Sequence, residues 1–389
     1  MTKKASATAA AAATELRRVL WVWWKLVITL SLALCVLAFL RLQRYSPSDS
    51  ELAFASANSV SISRRSRAPD GDFRGNPKIA FLFLAKTNLP LDFLWGSFFE
   101  NADVANFSIY IHSEPGFVFD ESTTRSTFFY NRQLKNSVKV AWGESSMIEA
   151  ERLLFVAALD DPRNQRFVLL SDSCVPLHNF GYIYKYLVNS PRSFVDSFID
   201  KKDGRYNPRM LPYIPKSKWR KGSQWITLIR KHAEVVADDE AIFPVFKKLC
   251  KRGPPIEASR EKLNLKPQKQ NNCISDEHYV QTLLEMLGLV RELERRTVTH
   301  TVWNCSETET EKNWHPVTFY YRDARPENIK RIKGINNVYY ETEFRTEWCR
   351  NNHTLVPCFL FARKFSRAAA MRLLSDEVVS QFDPSTAMH

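Results

Sequence analysis

Short apolar runs that alternate with helix-spaced segments set the strongest limit on how this chain can fold. Lys78–Ala85 (KIAFLFLA) and Arg166–Ser171 (RFVLLS) are continuous apolar runs, and Phe107–His112 (FSIYIH) lies between them. They predict strands, the first and third buried on both faces. Leu91–Glu100 has helix-compatible spacing, and His178–Asn189 reads as another helix. Ser146-Met-Ile-Glu149 has the pattern of a capping box. The helix it opens would place Met147, Ala150, Leu153, Leu154, Ala157 and Ala158 on one face. Strands alternating with helices predict an α/β domain with a mostly parallel, helix-covered sheet. Ligands on such sheets sit beyond the strand carboxyl ends, so the loops after Ala85, His112 and Ser171 point at a nucleotide site.

The second half is more mixed. Basic loops span Lys201–Arg220, two short helices are expected at Arg230–Ala237 and Asp239–Cys250, and Lys251–Asn272 is a polar Pro/Lys-rich loop. A helix is expected from Asp276 to Leu287, with Ser275 as its N-cap and Tyr279, Val280, Leu283, Leu284 and Leu287 on its buried face. The 389 residues show no internal repeat, and an apolar fraction of 44% suffices for a large core.

Val19–Leu40 is an uncharged, mostly apolar stretch interrupted only by Lys25. As a helix it would span roughly 30 Å of hydrocarbon. Trp21, Trp23 and Trp24 cluster at one end, as interfacial anchors do, and Lys25 can snorkel there. A cleaved signal peptide is the rival, but Arg41, Gln43 and Arg44 follow the run where small residues would be needed. The expected organisation is a cytosolic tail at 1–18, a transmembrane signal anchor at 19–40, a Ser/Ala/Arg/Pro-rich lumenal stem at 41–77 and a catalytic domain at 78–389.

Three sequons favour a lumenal domain: Asn106-Phe-Ser108, Asn304-Cys-Ser306 and Asn352-His-Thr354. Such tripeptides also arise by chance. Six cysteines beyond the apolar span permit up to three disulfides, with buried free thiols as the alternative. These readings predict a single-pass type II membrane protein with a lumenal domain. The net charge is +13, and residues 1–77 hold 11 Lys/Arg against 5 Asp/Glu. The domain itself is therefore also positive, which suits an anionic ligand such as a nucleoside diphosphate sugar. No zinc-finger spacing, basic heptad region or RRM pattern supports nucleic acid.

The dinucleotide, P-loop, nucleophile-elbow and zinc-protease motifs are all missing. The D-x-D at Asp70-Gly-Asp72 precedes the first strand, whereas the strand RFVLLS ends in Asp172-Ser173-Cys174, a single carboxylate. A hard divalent ion needs several oxygen ligands, so a metal-independent site is expected, with side-chain cations facing the diphosphate. Arg363 and Lys364 of CFLFARKF and Arg345 of TEFRT are candidates, and a solvated basic edge explains the same charges. Asp276 and Glu277 suit a helix first turn, where they would stabilise the dipole; alternatively one faces a cleft as general base.

Taken together, KIAFLFLA, FSIYIHSEPGF, VAWGESSMIEAERLLFVAAL, FVLLSDSCVPL, YIPKSKWRKGSQWITLIRKHAEVV, CISDEHYVQTLL, HPVTF and LFARKF resemble the core-2/I-branching β-1,6-N-acetylglucosaminyltransferases, glycosyltransferase family 14, in its plant-type branch. The resemblance runs from about Lys78 to Phe365. It implies a GT-A-like fold, an inverting mechanism without a metal ion or other cofactor, a UDP-sugar donor, UDP-GlcNAc in the family, and a place in the Golgi membrane. The family's catalytic glutamate falls on Glu277, and its diphosphate-binding lysine and arginine fall on Lys364 and Arg345. An acidic nucleoside contact falls on Glu114.

The acceptor, a glycan or glycoprotein, is not carried over. The plant-type branch departs from the animal pattern in Lys201–Arg220 and around Trp303–Pro316, where Cys305 replaces an aromatic acceptor contact. Trp219, Ser223 and Trp225 are acceptor-side candidates, although core packing accounts for the two tryptophans equally well. Two other functions fit parts of the chain. One is an inactive Golgi glycan-binding or scaffold protein with a transferase fold. The other is a glycoside hydrolase, for which the adjacent Asp276 and Glu277 make a poor carboxylate pair.

Overall fold

A computed structural model of the chain describes residues 21, 23–37, 75–201, 204–252, 272–303, 316–351 and 354–376. Two compact units divide it, Met1–Val60 and Ser61–His389. In the first, residues 23–37 are helical and exposed, and Lys25 Nζ lies 3.4 Å from the centroid of the Trp21 ring. Among the described residues no helix is long and apolar enough to cross a membrane. The ends of the expected 19–40 span, the 1–18 tail and nearly all of the 41–77 stem lie outside the described residues.

The second unit is built on a six-stranded sheet. Its first strands are β1 (Lys78–Leu84), β2 (Phe107–His112) and β3 (Asn164–Ser171), and β1 pairs in parallel with both of the others. All seven β1 residues are buried. Their alternation feeds two cores: Ile79, Phe81 and Phe83 join one cluster, and Ala80, Leu82 and Leu84 join the other. The first cluster contains Trp95, Phe98 and Phe99 of α1 (Asp92–Glu100), and Phe81 lies edge-on to all three. Each fully buried phenylalanine contributes about 1.5–3 kcal/mol. The second contains Ile148, Leu154, Phe155 and Ala158 of α2 (Ser145–Leu159). This layered α/β architecture fits a GT-A-like fold.

The expected capping box does not form. Helix α2 begins at Ser145, and the Ser146 hydroxyl instead accepts the Ala141 amide at 3.0 Å. The buried stripe also differs from the expected one, because it includes the carboxyl of Glu151 while Met147, Leu153 and Ala157 are only half-buried.

Short elements complete the unit: β4 (Val175–Pro176), α3 (Phe180–Asn189), β5 (Ser193–Phe194), β6 (Thr227–Ile229), α4 (Arg230–Asp238), α5 (Ile242–Leu249), α6 (Tyr279–Met286), β7 (Leu293–Glu294) and β8 (Thr299–Thr301). The large sheet runs β2-β1-β3-β6-β5-β7, with β6 antiparallel to β3 and β5. Helix α5 starts later than expected because the Asp239 carboxylate accepts the amides of Ala241, Ile242 and Phe243, capping its entry. After α7 (Pro326–Lys333), a β9–β10 hairpin (Asn337–Tyr340 and Arg345–Trp348) precedes a second, two-stranded hairpin, β11 (Arg350–Asn351) and β12 (Thr354–Leu355). Strand β13 (Phe361–Arg363) then inserts between β4 and β8, and α8 (Arg367–Ser375) follows. Because β4 follows β3 after a three-residue turn, this pairing carries the ARKF segment to the carboxyl end of the main sheet.

Among the described residues two disulfides are present, Cys250–Cys273 and Cys349–Cys358, and Cys174 is buried and free; Cys305 lies outside the described residues. Cys250–Cys273 closes a loop with a sequence separation of 23. Replacing both with serine is expected to lower the unfolding free energy by about 3 kcal/mol, measured by denaturant titration; no change would contradict the loop-closure argument.

Candidate active site

The parallel register of β1, β2 and β3 brings their carboxyl-end loops together. The Glu114 amide donates to the Lys86 carbonyl at 3.0 Å, and the Ala85 amide donates to the His112 carbonyl at 2.9 Å. His112 accepts the Val138 amide through Nε2, and burial pushes its pKa down to about 4. Asp172 closes β3, and burial raises its pKa against the opposing pull of Arg363 and Lys364. The Phe365 amide donates to the Ser173 carbonyl at 3.0 Å, pinning the end of β13 to this turn. Burial and the neighbouring Arg363 lower the pKa of Lys364. The Arg363 guanidinium lies over the Trp225 ring at 4.4 Å and interacts electrostatically with Asp172 and Asp276.

That last interaction joins the strand ends to the SDEH segment. Ser275–Glu277 forms a 3-10 turn, and α6 begins only at Tyr279. The Glu277 carboxylate is ion-paired with Arg205; the two side chains are 20% and 7% exposed. The Glu277 carbonyl accepts the Gly222 amide at 2.9 Å. His278 Nδ1 contacts the Arg220 carbonyl at 2.7 Å, and its ring stacks on Trp219 at 4.4 Å. Asp276 is buried between these groups, and burial, followed by repulsion from Glu277, pushes its pKa up to about 7. Below it, Gln224 Nε2 donates to the buried Glu151 carboxyl at 2.7 Å. Cations beside a sheet end, with a carboxylate on an adjoining turn, suit an anionic leaving group and a hydroxyl nucleophile.

Residues 79–333 match the family model described as Branch: Core-2/I-Branching enzyme. The chain belongs to the Core-2/I-branching family. It is also similar to the glycosyltransferase BC10 of Oryza sativa subsp. japonica, with 55% identity over 317 residues that cover 80% of this chain and 79% of that protein.

In this member of the Core-2/I-branching family, Glu277 and Lys364 belong to one connected region, with Arg363 and Asp276 between them. Glu114 sits at the β2 end as an exposed side chain. Arg345 is differently placed from the expectation of an open diphosphate ligand. It lies in β10, ion-paired with Glu343 and Glu347 and over the Tyr340 ring, so its charge is already balanced.

Ser275 does not cap the helix, because α6 starts three residues later than the spacing implied, and Leu287, just past its end at Met286, is 38% exposed. Trp219 is a packing residue and not an open acceptor surface: Phe246 stacks on its ring at 16° and His278 at 19°. Trp225 is buried beneath Arg363. The Ser223 hydroxyl accepts the Trp225 amide at 3.1 Å and so shapes the turn. Asn106 is half-buried at the entry to β2, while Asn304 and Asn352 lie outside the described residues.

Sequence reasoning missed Arg205 and Glu151, and it weighed Asp276 only as a first-turn acid or an alternative base. The charge-pair signal for Arg205 lay in a loop that offered no spacing rule, and Glu151 looked like one of several acids on α2.

Gly222 fixes how the GSQW turn meets this region. A Cβ there would stand 1.7 Å from the Asp196 carbonyl oxygen. Asp196 in turn accepts the Ser223 amide at 3.0 Å and the Tyr340 hydroxyl. Gly222→Ala is expected to cost about 3 kcal/mol or more, read as a lower Tm; an unchanged Tm would show that the turn can move away.

Proposed function

We propose that this Core-2/I-branching glycosyltransferase moves a sugar from a UDP-sugar to a glycan hydroxyl with inversion at the anomeric carbon. The observation that carries the reading is the Glu277 carboxylate on a turn linked through Asp276 and Arg363 to Lys364. UDP-GlcNAc is the donor the family resemblance favours. In the proposed reaction the acceptor hydroxyl gives its proton to Glu277 as its oxygen bonds to the anomeric carbon. The bond from that carbon to the diphosphate oxygen breaks, and UDP leaves with the electron pair. An α-linked donor thus yields a β-linked product.

Lys364 stabilises the charge that grows on the diphosphate. Arg345 contributes only if Glu343 and Glu347 release it. The reading includes metal independence, supported by the company Asp172 keeps: Arg363 and Lys364 beside it disfavour a divalent cation there. Lumenal placement behind an N-terminal membrane anchor in the Golgi completes the proposal.

Glu277→Gln is expected to fold and bind UDP while losing transfer by about a hundredfold or more, measured as UDP release with an acceptor panel. Retained turnover would remove Glu277 as the base. Lys364→Ala is expected to weaken UDP binding about tenfold or more by calorimetry, with Arg345→Ala producing a smaller change. Equal losses would mean that Arg345 leaves its glutamates to meet the donor. EDTA is expected to leave transfer unchanged, and inhibition reversed by Mn²⁺ would contradict the metal-free site.

A further inference from the structure

Three carboxyl groups crowd one corner beneath the proposed site. Glu151 enters from α2 and accepts from Gln224. Asp276 and Glu277 enter from the 3-10 turn. Arg205 pairs with Glu277, and Arg363, over the Trp225 ring, interacts with Asp276. Asp276 Oδ1 and Arg363 Nε are buried without a hydrogen-bond partner among the described residues. A buried carboxylate with an unmet oxygen is costly, and neighbouring buried carboxyls cannot all ionise cheaply.

The other charged groups nearby are already committed. On α2, Glu149 pairs with Lys247, and Arg152 donates to the carbonyls of Val236, Ala237 and Asp239. On α6, the Tyr279 hydroxyl donates to Asp239, and His278 at its entry contacts the Arg220 carbonyl. Asp172 and Lys364 interact with Arg363 and with each other. Burial and the charge of Glu277 push Asp276 up to about 7, and burial with Asp276 pushes Glu151 well above its ordinary value.

We propose that Asp276 is a positioning residue for transfer: a proton-bearing carboxyl, set between Arg363 and Glu277, that leaves Glu277 the one charged carboxyl of the corner and reserves Arg205 for it. The proposal rests on the reading of Glu277 as the base. When Asp276 loses its proton, two adjacent carboxylates compete for Arg205 and Arg363, and Glu277 is drawn away from the acceptor. Transfer therefore declines as pH rises through about 7.

The same proton has a stability consequence. A carboxyl whose pKa rises on folding contributes stability that is fully present below its unfolded value near 4 and lost as pH climbs through about 7.

The test is the pH profile of kcat/KM and of Tm for the full-length chain and Asp276→Asn, which mimics the protonated form. The variant is expected to match the parent within about threefold at pH 6. It should lack the decline in kcat/KM above neutrality and the Asp276 component of the loss in Tm between pH 4 and 7. An alkaline decline and a Tm slope unchanged in Asp276→Asn would overturn the proposal. Should that variant fail to fold, Glu277→Gln supplies the second readout. Removing its charge should move the pH-dependent loss of Tm to lower pH, and an unmoved profile overturns the proposal. Failure of the underlying reading looks different, because Glu277→Gln would then retain turnover whatever the Tm profiles do.

Discussion

The ion pair between Arg205 and Glu277 is the contact on which the arrangement of this region depends. A carboxylate on a largely buried turn is unfavourable unless a matching cation meets it. Arg205 supplies that cation from the loop after β5, so the loop, the SDEH turn and the GSQW turn must all be in place together. Gly222 presses against the Asp196 backbone and donates to the Glu277 carbonyl, and His278 anchors the next residue to Arg220. Trp219 and Trp225 fill the space behind these turns, the first sandwiched by His278 and Phe246, the second beneath Arg363.

The fold brings a second charge group to the same region by strand pairing. Three parallel strands present their carboxyl ends on one edge, and β13 returns late in the chain to pair with β4, directly after the Asp172 turn. Arg363 and Lys364 are therefore placed by backbone hydrogen bonding on both sides and do not rely on a mobile tail. Arg363 and Lys364 both neighbour Asp172, and Arg363 also lies over Trp225 and interacts with Asp276.

The parts of the fold legible in the sequence were those with a strong local period. β1, β2, β3, α1 and α3 appear close to their expected limits because their apolar patterns are long enough to register. Strands β5, β6 and β7 have two or three residues each, too few for any period, and they exist because the larger sheet offers them an edge. The start of α6 was misjudged because Ser275, Asp276 and Glu277 look like a first helical turn, whereas tertiary contacts to Gly143 and Gly222 hold them in a 3-10 turn. At the site, Glu277 and Lys364 were recognisable from motif resemblance. Asp276 was visible as an acid of the SDEH segment, but its burial and raised pKa, and Arg205 altogether, were not, because these come from long-range packing and charge pairing that spacing does not encode. The balanced charge of Arg345 was hidden for the same reason, although Glu343 and Glu347 flank it in the chain.

The central claim is that fixed side-chain cations, led by Lys364, meet the diphosphate while Glu277 faces the acceptor. A crystal structure of the full-length chain with UDP, grown without divalent ions, measures this most directly. The expected result has a phosphate oxygen within hydrogen-bonding distance of Lys364 Nζ and Glu277 bordering the same cavity. Phosphates bound away from Lys364, or reached only when a metal ion is added, would contradict it.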